Sequence, residues 1–237
     1  MTSLQTETVD MTYERYEGNQ FLENPFIRIR LHELVANSYQ NADQLMHRIY
    51  SVNDIAFISR HEDKIVGIVL FSYGRRHQVL AGDRVYTAIY HGYAVTDQTY
   101  RNQGVLQNLM RIAADTFAKR LGRDTSQLLF YCVTSNPYAI RAYRKVSAYF
   151  EPFIDGSFTP AGARIVLQLK QQLGIGLKDS AHPFKFTTSL PQRYSQFERD
   201  TFSNAPIEEK KLIDTLNVLE SQGDRVIFFW TPKSVGL

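Results

Sequence analysis

Apolar residues recur along the chain at two spacings, and these predict the helices and strands of its first half. Residues 11–16 have the alternation of a short strand, whereas residues 26–39 (FIRIRLHELVANSY) and 41–50 have apolar positions at helical intervals. The predicted core stripe of the first helix comprises Phe26, Ile29, Leu31, Leu34 and Val35. The runs AFISR and IVGIVLFSY, joined by HEDK, predict a hairpin, and residues 85–95 predict a central strand.

The second half continues the same pattern. After Gly104 the apolar positions have helical spacing up to a stop at Gly122; they are Leu106, Met110, Ala113, Phe117 and Leu121. Residues 126–134 predict a buried strand, and residues 136–146 predict a helix with a proline in its first turn. Residues 149–154 and 164–169 predict two closing strands. We therefore expect an α/β fold with a mixed, mostly antiparallel central sheet flanked by helices, formed by residues 1–170.

Residues 171–237 differ in character and predict a C-terminal α/β extension packed on the main domain. The segment GIGLKDSAHPF is typical of a linker, because its GxG lacks the flanking strand, helix and third glycine of a dinucleotide site. SLPQRYSQFERDTF and APIEEKKLIDTLNVLESQG predict helices, and DRVIFFW predicts a strand.

Composition and charge exclude several classes of function. With 27 Lys and Arg against 24 Asp and Glu, the net charge of +3 is too small to indicate a nucleic-acid surface. Cys132 is the single cysteine, which rules out an internal disulfide and paired-cysteine zinc sites, and the six scattered histidines suggest no metal centre. No stretch approaches the roughly 18 apolar residues of a membrane span, and the first residues lack a signal-peptide pattern. We expect a soluble, cytoplasmic protein.

The segment TYRNQGVLQNLM, residues 99–110, is the strongest candidate for chemistry. It is compatible with an ordinary helix start, in which Arg101 to Gln103 form a solvated turn and Gly104 supplies an unusual backbone conformation. It is also compatible with an anion site, because the first N–H groups of a helix have no internal acceptor and carry the positive end of its dipole. Spacing alone leaves both interpretations open.

Two motifs together make the sequence resemble the Gcn5-related N-acetyltransferase (GNAT) superfamily. Arg101 and Gly104 match the family's R/Q-x-x-G-x-G/A loop for the pyrophosphate of acyl-CoA, although Leu106 stands where Gly or Ala is usual. SNPYAIRAYRKV is similar to the family's N-x-x-A-x-x-x-Y-x-K segment, although Ser147-Ala148 replaces the usual Gly-Phe. The matches are about 30 residues apart and in the family's order.

This resemblance implies an N-acyltransferase that uses acetyl-CoA, or another acyl-CoA, as co-substrate without a metal. The amine acceptor would be a small molecule or a peptide, and a homodimer formed through the tail is one option. Tyr143 would be the general acid that protonates the departing sulfur, and the amide of Val95 would be the oxyanion donor. The implied cofactor-binding residues are Tyr93, Ala94, Val95, Arg101, Asn102, Gln103, Gly104, Val105, Leu106, Asn136 and Tyr143.

The general base is less well indicated. His91 would share a strand face with Tyr93 by two-residue alternation, and an imidazole can accept an ammonium proton; a structural histidine explains the position too. Tyr90, Tyr131 and Glu33 are further candidates, whereas Cys132 in a buried strand is better explained as a core residue. Arg75-Arg76-His77, predicted in a turn, could attract an anionic group or be a solvated loop.

Two alternative functions remain open at this level. One is transfer of a longer acyl chain, which the 14 tyrosines and 15 phenylalanines would suit. The other is a non-catalytic acyl-CoA-binding regulatory module, suggested by Leu106 and the missing Gly-Phe.

Overall fold

The computed structural model describes residues 10–18, 20–175, 182–188, 193–204, 207–219 and 222–233. Its strands are β1 (Met11–Glu17), β2 (Ile55–His61), β3 (Lys64–Ala81), β4 (Arg84–Thr96), β5 (Leu128–Thr134), β6 (Ser147–Glu151), β7 (Lys185–Thr187) and β8 (Asp224–Pro232). Its helices are α1 (Gln20–Glu23), α2 (Pro25–Ser38), α3 (Ala42–Val52), α4 (Val105–Leu121), α5 (Pro137–Val146), α6 (Pro160–Gln172), α7 (Gln196–Ser203) and α8 (Ile207–Thr215). Most of the predicted linker GIGLKDSAHPF lies outside the described residues.

The strands form one mixed sheet in the order β1-β2-β3-β4-β5-β8-β6, with β7 also paired to β8. Between described strands, β4 and β5 make the parallel pair and the other pairings are antiparallel. The predicted mixed, mostly antiparallel sheet flanked by helices is therefore confirmed.

The closing part of the sheet differs from the prediction. Residues 164–169, predicted as a strand, lie within α6, because Thr159 caps that helix and Pro160 occupies its first turn. Ile165, Val166 and Leu169 then share one buried helical face. The strand beside β5 is instead β8, which lies between β5 and β6. The other closing strand is shorter than predicted, since β6 ends at Glu151, before a proline that cannot donate to the ladder.

Strand β3 is longer than predicted and forms a second hairpin with β4. Arg75, Arg76 and His77 lie within β3, where the register against β4 shifts between Ser72 and His77, and not in a turn. Pairing continues beyond this shift up to Ala81 and Arg84. The polar triplet is therefore an irregular stretch of strand.

Helices cover both faces of the sheet. The helices α2 and α3 pack over one face, which presents Ala56, Ile58, Ile68 and Leu70. The opposite face presents Phe57, Val69 and Phe71 to α4. Part of the predicted α2 stripe is wrong: Phe26 and Ile29 are 78% and 60% exposed, because the buried face follows Ile27, Leu31, Leu34 and Val35 instead. No helix in the described part of the chain has the length and apolar character needed to cross a membrane.

Candidate active site

The site forms where β4 and β5 separate. These strands pair from Thr87 and Leu128 up to Tyr90 and Tyr131, and β4 then continues to Thr96 without a β5 partner. On its other side β5 stays paired with β8 up to Thr134. The gap between the ends of β4 and β5, called the sheet gap below, therefore leaves backbone groups of β4 without a partner among the described strands on that side.

A β-bulge at Gly92, at the start of the sheet gap, places the side chains before and after it on opposite faces of the sheet. Leu70 pairs with Tyr93 but the next β3 residue, Phe71, pairs with His91, so Gly92 is the extra residue. The Tyr93 ring lies 5.9 Å from that of Tyr39 on the α2 side. The His91 ring packs among Phe71, Tyr143 and Trp230 on the α5 side. The expectation that His91 and Tyr93 share a face is therefore wrong.

The pairing of β4 with β3 also determines where its amides point. Asp97 N donates to the carbonyl of Val66 at 2.8 Å, and successive residues of an antiparallel strand point alternately towards and away from the partner. The N–H of Val95 therefore points to β3, whereas the N–H of Ala94 points into the sheet gap. The candidate oxyanion donor is therefore the N–H of Ala94 and not, as expected, that of Val95.

The loop before α4 has the backbone needed to present helix amides. The Asp97 carboxylate accepts hydrogen bonds from the N–H and hydroxyl of Thr99 and so holds the first turn. Asn102 and Gly104 have φ angles of 64° and 79°, in the left-handed region that favours glycine. Apart from its chain neighbours, no described residue has a heavy atom within 4 Å of the position that a Cβ on Gly104 would take. The loop thus leaves open space in front of the first amides of α4.

A cavity of about 390 Å³ brings most of the predicted site together. Predicted residues that line it are Tyr93, Ala94, Val95, Arg101, Asn102, Gly104, Val105, Leu106, Asn136 and Tyr143. Gln103 and His91 are not among the lining residues; Gln103 is exposed and its side-chain amide donates to the Thr99 carbonyl at 3.0 Å. The roles of these residues remain predictions.

Arg101 is paired with a buried carboxylate. Its guanidinium contacts both carboxylate oxygens of Glu198, at 2.5 and 3.4 Å, and Glu198 also accepts the Ser38 hydroxyl at 3.0 Å. Glu198 is 4% exposed, so the pair is shielded from water on one side. The positive charge of Arg101 is therefore already balanced by a residue of α7.

Tyr143 lies on the α5 side of the cavity. Its ring stacks on Trp230 with centroids 4.7 Å apart and an interplanar angle of 17°, and it meets the His91 ring edge-to-face at 5.0 Å. Burial, together with the nearby Cys132 thiol and other tyrosines, raises the pKa of Tyr143 well above its usual range. The phenol therefore keeps its proton at neutral pH, as a general acid must.

The surroundings of His91 do not favour a role as general base. It is 2% exposed, and neither ring nitrogen makes a well-formed hydrogen bond to a described residue. Burial lowers the pKa of His91 to about 3, although the Tyr93 backbone opposes this shift. The imidazole is therefore neutral at pH 7 and has a weak affinity for a proton.

Asn136 caps α5 and lines the cavity, while its contact with a cofactor stays a prediction. Its Oδ1 accepts from the N–H groups of Tyr138 and Ala139, so it caps α5, and the residue also lines the cavity. Cys132 is 4% exposed and burial raises the pKa of its thiol, as expected for a core residue. The described residues contain no group of three or more His, Cys, Asp or Glu side chains arranged to hold a metal.

Several lining residues were missed by the sequence analysis. Arg141 and Lys145 are exposed cations one turn apart on α5, a spacing that places them on one helix face. Tyr194, Phe197, Glu198 and Thr201 come from the C-terminal segment. The first pair could have been found from the period of α5, whereas no local signal connects α7 with residues almost 100 positions earlier.

The sheet gap and the cavity at the start of α4 define a site of the acyltransferase type, and comparison with known sequences agrees. The chain belongs to the acetyltransferase (GNAT) family, whose profile matches residues 23–149, more than half of its 237 residues. No curated protein matches the chain significantly.

Solved structures with some likeness include the ribosomal-protein-S18-alanine N-acetyltransferase from Escherichia coli, with 9% identity, 95% of this chain and 97% of that chain covered, and a TM-score of 0.43. An aminoglycoside acetyltransferase from an uncultured soil metagenomic sample has 22% identity, 57% and 86% coverage, and a TM-score of 0.37. A probable N-acyltransferase from Enterococcus faecalis V583 has 16% identity and a TM-score of 0.41; the match covers 60% of this chain and spans 32% of that protein. TM-scores and identities this low give no information about the amine acceptor of this protein.

Proposed function

We propose that the protein is an acyl-CoA-dependent N-acyltransferase that transfers an acetyl group from acetyl-CoA to an amine by direct attack. The observation that carries this proposal is the cavity that joins the first turn of α4, the free edge of β4 and Tyr143. Family membership supports acyl transfer in general, and the geometry supplies the candidate groups for each step.

The protein groups that line the cavity are of the kinds that bind an acyl-CoA. The open space at Gly104 and the amides at the start of α4 suit a pyrophosphate, and Arg141 and Lys145 can face further phosphate groups. Arg101 would act mainly by holding the loop, because Glu198 already neutralises its charge. Acetyl-CoA supplies the thioester, whose acyl group is activated towards an amine.

The residues of this chain then have distinct tasks. The N–H of Ala94 donates to the carbonyl oxygen as negative charge develops on it. The amine nitrogen bonds to the acyl carbon as the carbon–sulfur bond breaks, and Tyr143 gives its proton to the departing sulfur. The amine loses one proton, which returns through water to the Tyr143 oxygen, so the products are an amide and the CoA thiol and the phenol is restored. The role of His91 as base stays a prediction, and its burial and low pKa favour a proton path through water instead.

A longer acyl chain is a second candidate, favoured by the aromatic lining of the cavity. The aromatic residues there are Tyr39, Tyr93, Tyr100, Tyr138, Tyr143, Tyr194 and Phe197. A series of acyl-CoAs from acetyl to palmitoyl, compared by kcat/KM, distinguishes the two: acetyl transfer predicts a steady decline with length, and the second candidate predicts a maximum at a longer chain.

Thermal unfolding with acetyl-CoA tests the cofactor assignment. Ligand at 100 times its Kd should stabilise the folded state by ~2.7 kcal/mol, seen as a higher Tm. A Gly104→Glu variant, which places a carboxylate at the anion site, should lose this increase. If neither CoA nor any acyl-CoA raises the Tm of the wild-type protein, the proposed function is wrong.

A further inference from the structure

The large cavity has walls of different chemistry. The start of α4 and the cations Arg141 and Lys145 of α5 suit phosphate groups. Another wall is formed by the end of α2, by one residue of β4 and by α7. The residues of this wall, called the α7 wall below, are Ser38, Tyr39, Tyr93, Phe197 and Glu198. Glu198 is the single acidic residue among the described residues that line the cavity.

The phenol oxygen of Tyr93 is short of a hydrogen-bond partner. Tyr93 is 6% exposed, and its hydroxyl makes no well-formed hydrogen bond to a described residue. The Tyr39 side chain is its polar neighbour, with ring centroids 5.9 Å apart. A buried hydroxyl that is left unpaired is costly. A ligand in the cavity that donates an N–H to this oxygen would therefore be favoured.

The Glu198 carboxylate has hydrogen-bonding capacity beyond its pair with Arg101. A carboxylate can accept about four hydrogen bonds. From described residues Glu198 accepts three: Oε1 accepts from the Ser38 hydroxyl and from Arg101 Nη2, and Oε2 accepts from Arg101 Nη1. The bond to Oε2 is the longest of the three, at 3.4 Å. Oε2 can therefore accept a further N–H while the pair with Arg101 stays in place.

These two oxygens lie close to the groups of the proposed reaction. Burial, and after it the Tyr194 phenol and the Glu198 carboxylate, raises the pKa of Tyr93 well above its usual range, so Tyr93 and Glu198 are within electrostatic reach of each other. Tyr93 in turn contributes to the raised pKa of Tyr143, after burial and other neighbours. It also directly precedes Ala94, the candidate oxyanion donor. A nucleophile bound to both oxygens would therefore lie beside the thioester carbonyl.

The cavity has room for a small amine at this wall. Its volume is about 390 Å³, and one water molecule occupies about 30 Å³ in the liquid, so it could hold about a dozen water molecules. That space accepts a small molecule next to the acyl end of the cofactor. The rings of Tyr39 and Phe197 add apolar surface to the wall, and Phe197 is 46% exposed.

We infer that the α7 wall binds the amine acceptor, and that the acceptor is a small primary amine with an apolar body and no anionic group. Its ammonium group donates to Oε2 of Glu198 and to the phenol oxygen of Tyr93, and its body packs on the aromatic rings. An anionic group would be repelled by the Glu198 carboxylate. The bound ammonium releases one proton to water before it attacks, so the acyl transfer starts from the neutral amine.

This inference rests on the proposed function, because it places the nucleophile beside the β4 backbone that would hold the thioester. It assigns acceptor specificity to the C-terminal segment of the chain, since Phe197 and Glu198 both belong to α7. Residues outside the stretch that matches the family profile would then select the amine.

The experiment compares phenethylamine with phenylalanine, which adds a carboxylate, and with 2-phenylethanol, which lacks the ammonium group. Cadaverine and lysine form a second pair. Saturation-transfer NMR titrations measure their binding to the protein with CoA bound, and thiol release from acetyl-CoA measures turnover. We expect phenethylamine to bind about tenfold or more tightly than either analogue, because a hydrogen bond to a charged group contributes about that factor. Cadaverine should exceed lysine by a similar factor.

Tyr93→Phe and Glu198→Gln are the test variants, since each removes the acceptor group and keeps the size of the side chain. Each should weaken the binding of phenethylamine about tenfold, and Glu198→Gln should also remove the discrimination against phenylalanine. The matched controls are Tyr50→Phe and Asp200→Asn. Tyr50 packs against the same apolar cluster as Tyr93, Asp200 is an exposed acid of α7, and neither lines the cavity. Both controls should bind phenethylamine as wild type does.

Three results overturn the inference: no binding of either amine, phenylalanine bound as tightly as phenethylamine, or wild-type amine binding in both test variants. Acetyl-CoA binding is measured on the same samples by the Tm increase, which Tyr93→Phe should retain. A normal increase in the wild-type protein together with any of these three results contradicts this inference alone. No increase with any acyl-CoA contradicts the proposed function.

Discussion

Glu198 of α7 contacts the guanidinium of Arg101 through both carboxylate oxygens and so ties the C-terminal segment to the loop before α4. The same carboxylate accepts the Ser38 hydroxyl at the end of α2. Nearby, Ser195 N donates to the Ser38 carbonyl and Gln40 N to the Arg193 carbonyl. Residues of the 194–201 segment therefore form a wall of the candidate active site.

The Arg101–Glu198 pair should stabilise the fold as a unit. Glu198→Ala leaves a partly buried guanidinium without its partner, so we expect a loss of about 1–3 kcal/mol in the free energy of unfolding. Arg101→Ala should also destabilise, but the double variant should lose clearly less than the sum of the two. Urea unfolding of the four proteins measures this coupling. Asp200→Ala, at an exposed acid of the same helix, should change stability by less than about 0.5 kcal/mol. Additive losses would mean that the pair is not coupled.

Alanine substitutions of the two glycines at the ends of α4 should distinguish an effect on stability from an effect on cofactor binding. Gly104 and Gly122 have φ angles of 79° and 59°, and an added Cβ at either one would lie more than 4 Å from every described residue other than its chain neighbours. Replacing either with alanine should cost about 1 kcal/mol, because the left-handed region is unfavourable for a residue with a Cβ. Calorimetric titration with acetyl-CoA should show weaker binding for Gly104→Ala and unchanged binding for Gly122→Ala. Equal affinities would place the cofactor elsewhere.

Tyr143→Phe should remove turnover and leave cofactor binding intact. The phenol keeps its proton at neutral pH, and loss of a general acid typically lowers kcat by about 10²–10⁴-fold. Acetyl-CoA should still raise the Tm of the variant, because the ring still packs on Trp230. Tyr16→Phe, on β1 and far in sequence from the site, is the control for loss of a hydroxyl. Wild-type activity in Tyr143→Phe would exclude this tyrosine as the acid.

The order of elements from β1 to α5 follows from local patterns in the sequence. Apolar spacing locates α4, and Gly122 ends it in a left-handed conformation. Asn136 and Pro137 likewise begin α5. These signals act over a few residues, which is why sequence alone could supply them, together with the two motifs that line the cavity.

The parts that were missed depend on distant contacts. β8 enters the sheet between β5 and β6, a placement set by burial of Phe228 and Trp230 against α5 that no local pattern specifies. The Gly92 bulge depends on how β4 pairs with β3. Ser195 and Glu198 have the spacing of a capping box, yet the Glu198 carboxylate goes to Arg101, because an arginine is within reach only after folding.

The proposed boundary between residues 1–170 and 171–237 can be tested by truncation. A chain ending at residue 175 lacks β8, which would expose the edge of β5 and the apolar face on which Trp230 packs. We expect this fragment to be aggregated or without a cooperative thermal transition. A soluble fragment with a sharp transition and acetyl-CoA binding would show that residues 1–170 fold as an independent domain.

His91 should make the fold sensitive to acid. Its pKa is lowered to about 3 by burial, while the unfolded chain takes up this proton near pH 6.5. Between these values the unfolded state binds more protons, so the contribution of His91 to stability is complete above about pH 6.5 and is lost as the pH falls towards 3. In His91→Phe this term is absent. The difference in unfolding free energy between variant and wild type, measured by urea titration at pH 8, 6 and 5, should therefore shift in favour of the variant as the pH falls. A difference independent of pH would show that His91 can be protonated in the folded protein, and would restore it as a candidate base.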